Sequence, residues 1–324
     1  MALMTFLIVV QLIAIILMSS RGCTRSEEGD STDPKARNGK YTHVISPEVP
    51  ASLEFCGEKI DLDRIDMAER LDRELTTTVY NHGQTSIIIK RANRYFPMLS
   101  KLLKANKVPE DMLYLAVAES SLNFNSVSAA NAVGIWQFMP ATGKEYGLEI
   151  NDEVDERYDP EKETIAACKF LKKAYSEYRN WSTVCASYNA GMGKISKELS
   201  EQQAGNSFDL KLVSETSRYV FRIMAYKIFF ADPKKYGYRI TSDQLYQPIE
   251  CDEVEVSTGV ESWPSWAKSH GVTYAQLRDA NPWIRKTMLT NAEGKVYRVK
   301  VPKKESLSRS KAKKTVYNKT WVVD

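Results

Sequence analysis

Histidine is scarce: His43, His82 and His270 are the only three in 324 residues, and they are scattered. That leaves little on which to build a zinc centre or a serine triad, both of which depend on imidazole. Cysteine is sparse too, and the five residues Cys23, Cys56, Cys168, Cys185 and Cys251 contain no Cys-x-x-Cys pair, so no metal or cofactor is expected. The net charge is only +4, from 45 Lys and Arg against 41 Asp and Glu. Nucleic acid is therefore not an expected partner. No βαβ or many-stranded alternation runs through the chain, which sets aside a sheet-centred fold.

What is present begins with an apolar run. Residues 2–20 carry no charged side chain and are followed by Arg21, Gly22 and Cys23. This reads as an export signal, with an uncleaved anchor helix as the alternative. Gly22-Cys23 resembles the end of a lipobox, which makes Cys23 the expected lipidation site and the membrane an expected contact. The polar stretch after it reads as a flexible tether. With Cys23 lipidated, four cysteines remain and an oxidising compartment permits three pairings. Cys56–Cys251, flanking the central region, is the first pair to consider. Cys168 and Cys185 lie in helical apolar patterns, where small core residues are the commoner reading.

Helical periodicity then takes over. Ile65, Ala68, Leu71 and Leu75 mark one helix face and residues 86–105 a second helix, both read as packing elements. Pro109 opens a third, with Glu110 and Asp111 suited to its first turn. On this helix Met112, Leu115, Ala116, Glu119 and Leu122 fall on one side, so Glu119 points with the apolar face. Desolvation disfavours its charged form and raises its pKa, as a proton donor near neutral pH requires. An ordinary polar edge of an amphipathic helix would look the same in isolation. Downstream, a small-residue segment leads through Gly134-Ile135-Trp136-Gln137 to Pro140 and Gly143, a loop and short helix expected to wall a cleft.

Three motifs in order, Glu119-Ser120, Gly134-Ile135-Trp136-Gln137 and Ser187-Tyr188-Asn189-Ala190-Gly191, together with residues 155–160 (DERYDP) and Glu215-Thr216 with Tyr219-Val220, resemble the lytic transglycosylases of the soluble-lytic-transglycosylase type. The resemblance covers about residues 105–240. Ile135-Trp136 replaces the commoner Leu-Met, and Ser187 the usual Ala. The resemblance implies a mainly α, lysozyme-like catalytic domain in which Glu119 is acid and base. Ser120, Ser128, Gln137, Met139, Tyr188, Asn189 and Tyr219 are implied on the substrate side, and Glu215 as a structural residue near the site. It also implies peptidoglycan glycan strands as substrate.

Most glycosidases need two carboxyl groups, and the three motifs supply one. A single-acid enzyme can work if the substrate supplies the second group, as the acetamido group of N-acetylmuramic acid would. In such a scheme Glu119 would protonate the bridging oxygen to N-acetylglucosamine, then accept the proton of the sugar's own 6-hydroxyl as a 1,6-anhydro ring closes. The runners-up are a lysozyme-like hydrolase on the same fold and a noncatalytic wall-binding protein.

After Tyr238 a strand, two short helices split at Gly271 and a closing strand resemble a LysM module, a small α+β (βααβ) domain whose family binds N-acetylglucosamine-containing glycans. Its opening Gly-Asp-Thr/Ser-Leu pattern is replaced by Gly259, Val260, Glu261 and Ser262. The tail between Lys303 and Lys319 reads as a solvated basic end, and the residues after Thr315 as a partial strand. The expected division is a signal or anchor at 1–22, a tether at 23–48, a helical extension at 49–104, the catalytic domain at 105–240, the LysM-like domain at 241–304 and a basic tail at 305–324. The expected address is the cell envelope, as an outer-membrane lipoprotein facing the periplasm or as an inner-membrane anchored protein.

Overall fold

A computed structural model describes residues 44–324; the apolar run, Cys23 and the tether up to residue 43 lie outside them. The chain is mainly α, with a small α+β module after the helical body. It opens on a hairpin absent from the expectation, β1 (Ser52–Phe55) and β2 (Glu58–Asp61). Phe55 pairs with Glu58, leaving a two-residue turn, Cys56-Gly57, with φ of 55° and 81°. Two positive φ values match the twist of paired strands. Strands of four residues are too short to print a period, which is why the sequence hides them.

Helix α1 (Ile65–Tyr80) buries Met67, Leu71, Leu75 and Val79 together with Glu74. Ile65, placed on the buried face by its spacing, is instead 76% exposed, because the stripe facing the core starts two residues later. Helix α2 (His82–Ala105) follows and carries Pro97 in its interior. The third helix does not start at Pro109. A 3-10 turn at Glu110–Met112 comes first, and α3 (Leu113–Ser120) is only eight residues long.

The later helices begin and end on local chemistry. After α4 (Pro140–Glu145), Asp159 caps α5 (Pro160–Tyr178) by accepting from the amides of Glu161 and Lys162, and Pro160 takes the first position, where no amide is needed. Asn180 caps α6 (Trp181–Ala190), which stops at Gly191 with φ 89°. Helices α7 (Met192–Glu201) and α8 (Ser214–Ala231) complete the body. α8 packs against α1, α3 and α6, so residues along it meet side chains from three directions.

The module after the body has the expected βααβ order: β3 (Cys251–Val256), α9 (Trp263–Ser269), α10 (Tyr274–Ala280) and β4 (Tyr297–Pro302), with β3 and β4 antiparallel. Trp263, Leu277, Trp283 and Val299 form its own core, joined by Val154 from the body. The seam is also polar. The Asp155 amide donates to the Trp283 carbonyl at 2.9 Å, the Arg285 amide to that of Glu153 at 2.8 Å, and the Arg285 guanidinium lies 3.9 Å from the centre of the Tyr158 ring.

Residues beyond 305 are not a solvated end throughout. Trp321 is 2% exposed, stacks its edge near Phe96 and Phe230, and donates its indole N–H to the Phe230 carbonyl at 2.8 Å. A buried indole with its donor satisfied outweighs the solvation of the lysines before it. The expected partial strand reduces to one parallel bridge, Ile240 to Val322. The four described cysteines are all free thiols. Cys168 and Cys185 are core residues of α5 and α6. Cys56 sits in the hairpin turn, where its amide donates to Asp111, and Cys251 opens β3 in the other module; that pair is not bonded. Among the described residues no helix is long and apolar enough to cross a membrane.

Candidate active site

Glu119 lies in the last turn of α3, which ends because Ser121 and Leu122 both turn left-handed, with φ of 54° and 58°. Burial pushes its carboxyl up to about 7; the charge of Glu215 adds to the shift, and the Tyr219 hydroxyl and the Arg222 charge oppose it. The negative end of the α3 dipole also disfavours a carboxylate there. Tyr219, on α8 and 2% exposed, donates its hydroxyl to Glu119 Oε1. It is therefore a buried partner of the carboxyl rather than an open wall. Burial and the nearby Glu119 charge raise the Tyr219 and Tyr188 phenols well above their ordinary value, so both stay protonated donors.

The loop between α3 and α4 is held from below. Glu163, fully buried on α5, accepts from the Ile135 amide at 2.7 Å and the Trp136 amide at 2.9 Å. Gly134 makes this possible. With φ of 94°, a Cβ there would stand 2.0 Å from the Arg157 carbonyl oxygen and 2.4 Å from a Glu163 oxygen, so no other residue fits. Arg157, itself clamped by Asp155, donates to the carbonyls of Asn131 and Phe138. Trp136 is fully buried, and its indole N–H reaches the Thr164 hydroxyl at 2.9 Å.

The expected substrate-side residues separate into two sets. Ser120 is buried, and its hydroxyl donates to the Ile135 carbonyl at 2.9 Å; it ties α3 to the loop. Gln137 adopts φ 55° and turns its amide N–H back onto the carbonyls of Gly134 and Ser126. Tyr188, half-buried on α6, donates to the Trp136 carbonyl at 2.8 Å and packs edge-on against Phe138 and Phe170. Its hydroxyl supports the loop, and the direct partner of Glu119 is Tyr219. Asn189 Oδ1 accepts from Thr216 at 2.9 Å, joining the end of α6 to the start of α8. Met139 is 42% exposed. Ser128, half-exposed, accepts from the Ala132 amide at 3.0 Å. Glu215 is exposed and accepts from Arg222 at 3.1 Å, consistent with a supporting place.

Glu163 falls outside every stretch that carries the resemblance, and Arg157 lies in residues 155–160, to which the resemblance attaches no site role. A glutamate in the first turn of a helix reads as an ordinary dipole partner, and the clash a Cβ would make at position 134 emerges only from the fold. Glu74, whose helix reads as packing alone, is buried and accepts from three arginines, Arg73 at 3.2 Å, Arg218 at 2.7 Å and Arg222 at 3.4 Å. Among the described residues no group of His, Cys, Asp and Glu is disposed to hold a metal ion.

Residues 96–210 match the family described as Transglycosylase SLT domain, and residues 252–305 that described as Soluble lytic transglycosylase C-terminal LysM-like domain. Two curated relatives, the membrane-bound lytic murein transglycosylase D of Escherichia coli K12 and that of Escherichia coli O6:H1, are each 29% identical over 262 residues, 78% of this chain and 56% of theirs. The chain thus spans little more than half the length of these relatives. Among solved structures, the 70 kDa soluble lytic transglycosylase from Escherichia coli aligns at 23% identity over 42% of this chain and 24% of its own, with a TM-score of 0.37. A complex of the 70 kDa soluble lytic transglycosylase with bulgecin A aligns at 19% identity over 50% and 31%, with a TM-score of 0.39.

Proposed function

We propose that the protein is a peptidoglycan lytic transglycosylase that cleaves the β-1,4 bond between N-acetylmuramic acid and N-acetylglucosamine and leaves a 1,6-anhydro end. The observation that carries this is a single carboxyl, Glu119, pushed up to about 7 and touched by one phenol. Such a group holds a proton near neutral pH and can also take one back. Glu215, the other carboxylate acting on it, is exposed and turned to Arg222, so it is poorly placed as a nucleophile. The second group comes from the substrate's own acetamido oxygen, as in substrate-assisted glycosidases. Glu119 protonates the leaving oxygen, then as carboxylate accepts the proton of the 6-hydroxyl that closes on the anomeric carbon. Met139, Ser128 and Asn189 serve on the substrate side, while Ser120, Gln137, Tyr188 and Tyr219 hold the loop and the acid.

The test is mass spectrometry of digested sacculi. Products lighter by one water than those of a hydrolase are expected, and reducing ends of hydrolase mass would overturn the anhydro step. Glu119→Gln is expected to lower turnover by about 10²- to 10⁴-fold, the usual worth of a positioned acid, while sacculus binding persists. A noncatalytic wall-binding protein would release nothing with either chain.

The reading includes an address and a division of the chain. The protein works in the cell envelope, held to a membrane through lipid on Cys23 and facing the periplasm; loss of membrane association in Cys23→Ser is the expected result. The catalytic domain occupies 105–240, supported by the helical extension at 49–104, and the module at 241–304 adds contact with glycan strands.

A further inference from the structure

Glu119 is faced by Tyr219, Arg222 and Glu215 from α8 and by Tyr188 from α6. Arg222 stands three residues after Tyr219, so on a helix the two lie on neighbouring parts of one face. Among the described residues it is the one cation acting on the acid. A guanidinium that closed on Glu119 would hold the carboxyl ionised, and a proton donor would be lost.

Two carboxylates restrain Arg222. Glu215 Oε1 accepts from its Nη1 at 3.1 Å, and Glu74 Oε2 accepts from its Nε at 3.4 Å. Glu74 also holds Arg218 Nε at 2.7 Å and Arg73 Nε at 3.2 Å. The side chains of Glu215 and Arg73 are 61% and 50% exposed, whereas that of Glu74 is 1% exposed. Solvent screens the first two, so the buried carboxylate is the effective counter-charge to the two α8 arginines. Three guanidiniums against Glu74 and Glu215 leave the cluster one positive charge in excess, and Glu119 is a further carboxyl on which Arg222 acts.

We propose that Glu74 is a positioning residue for Glu119: it holds the Arg218 and Arg222 guanidiniums against α1, so that neither closes on the carboxyl that Tyr219 touches. Glu74 lies outside the matched SLT domain, which begins at residue 96; the extension before that domain therefore governs the state of its acid. This rests on the reading of Glu119 as the acid, but its test does not need turnover.

The Glu119 carboxyl is titrated directly, by infrared difference spectra of each protein against the same protein carrying Glu119→Gln. In Glu74→Gln the protonation midpoint is expected to fall by about one pH unit, and the alkaline limb of kcat/KM on glycan strands to move down with it. Glu74→Asp, which keeps the charge, restores most of both. Arg222→Gln is expected to move the midpoint the other way, upward. A midpoint unmoved in Glu74→Gln, with only a lower melting temperature, overturns the proposal and leaves Glu74 a fastener of α1 to α8. If Glu74→Gln does not fold, an unmoved midpoint in Arg222→Gln overturns it instead. A shifted midpoint in a protein that releases no anhydro product would sink the functional reading and leave this inference standing.

Discussion

Glu74 and Glu119 both reach α8, and they meet opposite company. Glu74, on α1, is buried and accepts from three guanidiniums. Glu119, at the end of α3, accepts from one neutral phenol and is pushed up to about 7. Burial alone does not decide what a carboxyl can do. Three guanidiniums tie one down, and a single uncharged donor leaves the other free to exchange its proton.

The largest way to sharpen this contrast is stability. Between pH 4.5 and about 7 the folded chain keeps the Glu119 proton that the unfolded chain has released. The stability contributed by the protonated carboxyl is therefore complete below 4.5 and lost as pH rises through about 7. Glu119→Gln should be more stable than the parent at pH 8 by about 3 kcal/mol, at about 1.4 kcal/mol per pH unit, and equal to it at pH 4. Urea unfolding at the two pH values measures the gap; a parent as stable as the variant at pH 8 would break the comparison. Glu74→Gln should act in the opposite direction, losing about 2 kcal/mol at pH 7 because charged hydrogen bonds to Arg218 and Arg222 weaken. The smallest effect is that of Tyr219→Phe. Removing the donor to the carboxylate should raise the Glu119 midpoint by about half a unit, seen as an alkaline shift of the pH–rate profile with little change in melting temperature.

The helices with strong ends were legible in the sequence. Pro160 and Gly191 fixed α5 and α6, and the split at Gly271 placed the two helices of the βααβ module. Glu119 was legible because its helix phase put a charge on an apolar face. The hairpin at Cys56 was not, since its pairing is set by contact with α6, where Glu58 accepts from the Trp181 amide and the Asn180 side chain. Nor were the partners of the acid. Tyr219 is 100 residues after Glu119 and Glu74 is 45 residues before it, and no local period reports such distances. Ser120 and Tyr188 were recognisable as residues of the motif, but their hydroxyls turn to the backbone of the loop, an orientation that spacing does not encode.

The buried Trp321 has a consequence for topology. Asn93 accepts from the Tyr317 amide and donates to the Thr315 carbonyl, so the chain re-enters the helical body after β4 has left the small module. In connectivity the module is an insertion, fastened at both ends, with body residues before and after it. A pendant domain on one linker sweeps a volume, whereas a doubly fastened one keeps its distance from Glu119. On the proposed function, glycan held by the module meets Glu119 from a doubly fastened base, a ruler rather than a leash.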